Sequence, residues 1–213
     1  MANQYTIRID GGAEFACEDG DTFLRAALRA GIGFPYECNS GGCSTCRMEV
    51  LSGDFDILWE DAPGRTARDR KKDRYLGCQT APASNCVIKF REDPETVPQV
   101  KPARGEFEFV QKIELTPDMC EFVFSAENPA EFLPGQFAQL YFPGIVGARS
   151  YSMSNLGNSD GEWRFIVKAL PGGAGSDYLF KTLEVGMVLP FDGPYGLAYL
   201  REDRPRDIVC VGG

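Results

Sequence analysis

A small α+β roll, followed by an antiparallel barrel or sandwich, is predicted for this chain, with a parallel strand of an α/β domain opening at its C-terminal end. Three observations carry that expectation. Strand-like runs flank one short amphipathic helix in residues 1–90. Short apolar runs separated by turn signals fill residues 107–200. The last ten residues, RPRDIVCVGG, change to a continuous apolar run closed by two glycines, as a buried parallel strand does before a nucleotide loop. With 213 residues, 43% of them hydrophobic, there is material for two modest cores rather than one.

The elements follow in order. Tyr5–Ile9 (YTIRI) alternates as a half-buried strand, Asp10–Gly12 turns, and Glu14–Glu18 (EFACE) returns. DTFLRAALRAGIG, residues 21–33, reads as a helix: Asp21 or Thr22 caps it, Phe23, Ala27 and Leu28 form its apolar face, and Gly31 ends it. CRMEVLSG, residues 46–53, and Cys86–Phe90 (CVIKF) read as two more strands. The segment 91–106, REDPETVPQVKPARGE, combines three prolines with many charges and reads as a linker. The expected units are therefore residues 1–95, a linker at 96–105, a second unit at 106–204 and the start of a third at 205–213. In the second unit FEFVQKIEL, CEFVFS, QFAQLYF, RSYSMSN, EWRFIVKAL and GMVLPF are the strand candidates, and Ser176–Leu183 the one helix.

Composition excludes several function classes. The chain has no histidine, so it holds no Ser-His-Asp triad, no His-ligated zinc, no His-held haem and no Rieske centre. Its net charge of −9 argues against a nucleic-acid binder and suits a partner that docks by charge complementarity. No apolar run approaches a membrane span and the N-terminus lacks a signal pattern, so a soluble cytoplasmic protein is expected. Eight cysteines in a reducing compartment point to metal binding before disulfides.

Cys38, Cys43 and Cys46, in FPYECNSGGCSTC, give C-x4-C-x2-C, the plant-type ferredoxin spacing for a 2Fe–2S cluster. Ser40, Gly41, Gly42, Ser44 and Thr45 keep the loop small, so successive backbone N–H groups are free to point at sulfur and set the potential, about −400 mV for such centres. Cys78, in YLGCQT, is the expected fourth ligand, with Cys86 the alternative, though Cys86 opens a strand-like run. Structural zinc is the competing use of four thiols, but zinc ribbons pair C-x2-C with C-x2-C. Cys17, Cys120 and Cys210 lie in strand-like runs and read as small buried hydrophobes.

FPYECNSGGCSTCRMEVLSG, LWEDAPG and RYLGCQ resemble the ferredoxin domain of the reductase components of aromatic-ring oxygenases, such as those of toluene monooxygenase and carbazole dioxygenase, with methane monooxygenase reductase more distant. The resemblance runs through all 213 residues. It implies a β-grasp plant-type ferredoxin domain, then an antiparallel six-stranded FAD-binding β-barrel, then an NAD-binding domain of which residues 205–213 would be the first strand. The chain is then expected to continue past Gly213, with the NADH site in that further domain.

ARSYSMSN contains R-x-Y-S. On a strand Arg149 and Tyr151 share one face, and Ser150 and Ser152 take the other. Arg can neutralise a pyrophosphate, Tyr can stack on a flavin ring, and a Ser hydroxyl can bond a ring nitrogen. The resemblance implies those roles: Arg149 on the FAD pyrophosphate, Tyr151 on the isoalloxazine, Ser152 near N5. LPGQF precedes the motif and FIVKALPGGAGSDYL follows it, where Val167 and Lys168 would line the cofactor and Gly173–Ser176 open a helix whose free N–H groups suit phosphate. Gly175 departs from the bulky apolar residue common in the family. Tyr195, in DGPYG, is placed to approach the flavin or to cover the barrel.

Arg65–Arg74 (RTARDRKKDR) holds six basic and two acidic residues. It reads as a solvated helix with pairs such as Arg65 with Asp69, or as a docking patch for the terminal oxygenase. The expected function is electron transfer from NAD(P)H through FAD and a 2Fe–2S cluster to an oxygenase or an intermediary ferredoxin. The alternatives are a ferredoxin-type carrier without flavin and a zinc-stapled binding module.

Overall fold

A computed structural model describes residues 3–201, with Pro205, Asp207 and Val209 beyond them. Apart from those three, the strand expected over 205–213 lies outside the described residues.

Strands β1 (Gln4–Ile9) and β2 (Glu14–Glu18) form the expected hairpin, with Ile7 opposite Phe15. Their period of two turns Ile7, Ile9, Phe15 and Cys17 inward, and all four are buried. Helix α1 (Phe23–Arg29) is capped by Thr22, whose hydroxyl accepts the Arg25 N–H at 3.3 Å. Strand β3 (Arg47–Ser52), strand β4 (Phe55–Ile57), helix α2 (Ala67–Arg70) and strands β5 (Arg74–Leu76), β6 (Thr80–Pro82) and β7 (Cys86–Lys89) complete the first unit. Its five-stranded sheet runs β2-β1-β7-β3-β5, with β1 and β7 parallel, and β4 pairs separately with β6. Phe23, Leu24, Leu28, Phe34, Met48 and Ile88 fill the core between α1 and the sheet. Each contributes about 1.5–3 kcal/mol of burial.

The basic run is not one solvated helix. Thr66 caps α2 and Asp69 answers it in a capping box, so Arg65 precedes the helix and has no i,i+4 partner there. Arg65 pairs with Glu60 at 2.9 Å and lies 4.5 Å over the Tyr75 ring, while Asp69 takes Arg47 at 2.9 Å.

Residues 91–102 carry no strand, only the 3-10 turn Pro94–Thr96. Each strand candidate of the second unit is found: β8 (Ala103–Thr116), β9 (Met119–Ser125), β10 (Phe137–Leu140), β11 (Arg149–Ser152), β12 (Glu162–Lys168) and β13 (Val188–Tyr195). They make a six-stranded antiparallel sheet in the order β11-β10-β13-β8-β9-β12. No ladder joins β11 to β12 among the described residues; the chain just past β11 reaches β12 through the Ser154 N–H and the Arg164 carbonyl at 2.8 Å. An aromatic core holds the sheet, with Phe107 stacked on Phe191 at 3.7 Å and Phe124, Trp163 and Phe165 around them. Helix α3 (Ala174–Lys181) begins two residues before the expected Ser176, because Gly173 takes the cap position.

The two units meet through buried charge. Arg29 of α1 pairs with Asp21 and, at 2.8 Å, with Asp192 of β13. Arg104 of β8 reaches Asp21 at 2.7 Å, and the Tyr195 hydroxyl donates to Asp192 at 2.7 Å. Asp21 and Asp192 are 2% and 0% exposed, while the Arg29 and Arg104 side chains keep 22% and 35% exposure, so two buried carboxylates are balanced by two guanidiniums at the rim of the junction. Tyr195 packs in the core of the first unit, with its edge toward Tyr36. Its hydroxyl, bonded to Asp192, is thus buried at the junction of the two units.

Candidate functional site

Cys38, Cys43 and Cys46 lie on the loop between α1 and β3, and Cys78 sits in the 3-10 turn Gly77–Gln79 directly after β5. The Gly77 N–H donates to the Cys46 carbonyl at 2.7 Å and draws the fourth thiol alongside, leaving the Cys46 and Cys78 sulfurs 3.3 Å apart. The Cys43 thiol lies beside Cys38, near enough to help hold the Cys38 thiol low. The four thiols thus form two pairs, and among the described residues no three His, Cys, Asp or Glu side chains converge on one centre. Four thiols set as two neighbouring pairs can hold the two irons of a 2Fe–2S cluster. Cys86, at the start of β7, donates to the carbonyls of Ser84 and Asp54 at 3.3 and 3.4 Å, away from these pairs. Cys17 and Cys120 are buried in the two cores, and burial pushes Cys17 up to about 12.

The loop's backbone is wound to supply donors. Asn39, Gly41 and Ser44 have φ of 49, 87 and 64°, alternating with ordinary residues, a pattern that turns N–H groups inward. The Ser40 N–H reaches the Cys38 sulfur at 3.5 Å. Burial acts to raise the Cys38 thiol, but the N–H groups of Ser40 and Gly42 and the Cys43 thiol outweigh it and hold it low. Cys78 is lowered chiefly by the Cys46 thiol, with the Gly41 N–H and the Arg25 charge adding to it, while Cys46 is raised well above the ordinary thiol value. Gly64 braces the loop: its N–H bonds the Gly41 carbonyl at 2.8 Å, and a Cβ there would lie 2.6 Å from that carbonyl oxygen and 2.9 Å from the Ser44 nitrogen.

On the second unit the structure brings Arg149, Tyr151 and Gly175 together. A Cβ on Gly175 would stand 2.9 Å from both the Arg149 Cγ and the Tyr151 hydroxyl, so only glycine leaves this cradle open and a bulky residue has no room. Arg149 donates to the carbonyls of Val146, Gly147 and Ala148 at 3.1–3.3 Å, and Tyr151 stands edge-on to Phe142 and Phe165. Burial raises the Tyr151 hydroxyl, keeping it neutral. Ser150 and Ser152 are exposed on the other face of β11. Three expected residues do not join this cradle. Val167 packs into the sheet's core, Lys168 is exposed and paired with Asp118 at 3.2 Å, and the Ser176 hydroxyl is turned back to the carbonyls of Gly173 and Leu170. Gly173 caps the helix and presents its N-terminal turn.

Residues with no motif connect the two places. Arg25, buried on α1, donates to the Tyr141 hydroxyl at 2.7 Å and to Asn39 at 3.4 Å. Gln139 on β10, 2% exposed, donates to the Asn39 carbonyl at 2.7 Å, and Gln139 is the register partner of Ser150 on β11. A backbone neighbour of Cys38 is thus one side-chain bond from the strand beside R-x-Y-S. A cavity of about 1030 Å³ opens here, lined by Arg25, Asn39, Trp59, Gln139, Tyr141 and Arg149. The one sequence signal was a lone Gln between apolar residues in QFAQL, where a buried polar group needs a partner.

Comparison with known proteins agrees with this arrangement. Residues 7–83 match the 2Fe-2S iron-sulfur cluster binding domain and residues 106–199 the oxidoreductase FAD-binding domain. The chain is 41% identical over 213 residues to the ferredoxin–NAD(P)(+) reductase CarAd of Metapseudomonas resinovorans, covering 98% of this chain and 64% of that one. It is 42% identical over 208 residues to the ferredoxin–NAD(+) reductase component of the alkene monooxygenase system of Xanthobacter autotrophicus, covering 97% and 63%. The solved ferredoxin reductase in carbazole 1,9a-dioxygenase superposes with a TM-score of 0.90 at 38% identity, over 94% of this chain and 63% of that one. The chain therefore spans a little under two thirds of the length of these relatives. A 2Fe-2S cluster binding domain followed by an oxidoreductase FAD-binding domain makes the chain similar, in both parts and in their order, to the reductase components of oxygenase systems.

Proposed function

We propose that this chain carries electrons from reduced nicotinamide, by way of FAD and a 2Fe–2S cluster, to a terminal oxygenase or its intermediary ferredoxin, in the cytoplasm. One observation supports it above others: two thiol pairs, wrapped in inward N–H groups, lie next to a sheet carrying the Arg149–Tyr151–Gly175 cradle. When bound, FAD accepts an electron pair and the cluster carries single electrons, so together they convert two-electron into one-electron transfer. Cys38 and Cys43 hold one iron and Cys46 and Cys78 the other. Arg149 would face the pyrophosphate, Tyr151 the isoalloxazine and Ser152 its N5, with Ser150 beside them on β11, and Gly173–Ser176 would offer the helix N-terminus. Val167 and Lys168, at the end of β12, would line the cofactor. The sheet closes into a barrel through the β11–β12 edge, and the units run 1–95 and 106–204 about the 96–105 linker.

The relatives' names, ferredoxin–NAD(P)(+) reductase among them, give the donor and acceptor classes. The test is the visible spectrum and metal content of protein purified without air. Flavin and cluster bands with two irons and two labile sulfides per chain are expected. Cluster bands alone would leave a carrier without flavin, and one zinc with no labile sulfide would overturn the redox reading.

A further inference from the structure

We propose that helix α2 and the thiol loop it is clipped to form a docking surface for a carboxylate-rich electron-transfer protein; this rests on the reading of the four thiols as a cluster site. Half of the basic run is already spent inside the molecule: Arg65 and Arg70 pair with Glu60 at 2.9 and 3.0 Å, and Arg74 with Glu49 at 3.0 Å. Arg68, Lys71 and Lys72 are exposed and form no ion pair among the described residues. Of the acids nearby, Glu37, beside Cys38, is exposed and forms no ion pair among the described residues. Asp69 is buried on Arg47, Asp61 reaches Arg70 at 3.7 Å, and Asp73 stands exposed.

Position gives this small excess its meaning. Asp69 ties α2 to Arg47, the residue after Cys46, and Gly64, just before the helix, is bonded to the loop at both Gly41 and Ser44. The loop opens to solvent on the same unit: Ser40 and Gly42 are exposed and Cys38 and Cys43 half-buried, whereas Cys46 and Cys78 are buried. The whole chain carries −9. An acidic partner is repelled by most of that surface and attracted at α2, so long-range steering orients it with the open thiol pair toward its acceptor.

The test uses acidic cytochrome b5 as the probe, with binding to the full chain followed against ionic strength. Wild-type binding is expected to weaken as salt rises. The R68E/K71E/K72E variant is expected to lose affinity by about tenfold or more at low salt and to lose the salt slope, with the glutamine triple in between. K101E/K112E/K181E makes the same net change on exposed lysines of the linker and second unit and is expected to stay within about twofold. Equal binding by wild type and the α2 triple, equal loss in the control triple, or preference for basic cytochrome c would overturn the proposal. Iron and labile sulfide content report separately on the cluster reading: their absence from protein with intact, salt-dependent cytochrome b5 binding would sink that reading and leave the docking surface standing.

Discussion

The thiol loop and the Arg149 cradle are built in opposite ways. Three of the four thiols lie within nine residues of chain, and what surrounds them is backbone: positive-φ turns, inward N–H groups, and Gly64 pressed against two main-chain atoms. The cradle is assembled from β11 and α3, and what meets there is side chain, the Arg149 stem and the Tyr151 hydroxyl against Gly175. Backbone cannot move aside without breaking hydrogen bonds, whereas side chains have other rotamers. A site of the first kind tolerates almost no change, and one of the second kind adapts.

The largest effect that bears on this contrast is loss of a thiol. Cys78→Ala is expected to abolish iron and labile sulfide while leaving flavin bound, read as absorbance and iron content, because the second pair then has one sulfur. Cys86→Ala is expected to keep both cofactors, since its thiol is occupied with Ser84 and Asp54. Retention of full iron by Cys78→Ala would dissolve the paired-thiol account.

The junction comes next. Asp192→Ala leaves Arg29 with one carboxylate and Tyr195 without its acceptor, inside a site with no water exposure at that aspartate. Removing one partner from a buried pair costs about 3–5 kcal/mol. Two separated calorimetric transitions are expected in place of coupled ones, and an unchanged thermogram would mean that the units are fastened elsewhere.

A pair of glycines then tests the contrast directly. Gly64→Ala drives a methyl into Gly41 and Ser44 backbone and is expected to cost about 1–3 kcal/mol in the first unit, with faster iron loss. Gly175→Ala meets only side chains, those of Arg149, Tyr151 and Phe142, and gains helix propensity, so stability is expected within about 1 kcal/mol of wild type while FAD affinity falls. Denaturant midpoints and flavin titration separate the two, and equal destabilisation would erase the distinction between backbone-built and side-chain-built sites.

The same distinction explains what could be read from the residues beforehand. The C-x4-C-x2-C loop was legible as a place where thiols gather, because three of them are nearly contiguous. The strand runs of both units, R-x-Y-S among them, were legible by alternation. Arg25, Gln139, Asp21 and Asp192 were not legible, since each looks like an ordinary helix, strand or turn residue until the two units meet and bury it. Tyr195 shows this most plainly: its neighbours in sequence belong to the second unit, and its packing partners to the first. The α2 run misled for a local reason, because Thr66 starts the helix later than a simple charge pattern implies.

The smallest expected effect contrasts two aspartates, one beside the loop and one at a hairpin of the sheet. Burial acts to raise Asp69, but the Thr66 hydroxyl and N–H and the Arg47 guanidinium outweigh it and hold its carboxyl below the ordinary 3.8. Asp118, at the exposed β8–β9 turn, is also held low, first by the Thr116 hydroxyl and then by Lys168. A carboxyl lowered in the folded state adds stability that is present above its unfolded pKa and is lost as pH falls through the folded one. Both contributions therefore disappear only below about pH 4. For Asp69 the loss undoes a capping box and the clip to Arg47 beside Cys46, about 1 kcal/mol, and the first unit is expected to unfold in acid with a limb that Asp69→Asn flattens. Asp118→Asn, at an exposed turn, is expected to leave the acid limb of the second unit where it is. Acid titrations of the two variants, read by circular dichroism, decide it: a flattened limb for Asp118→Asn and none for Asp69→Asn would reverse the assignment of which unit is braced by its charges.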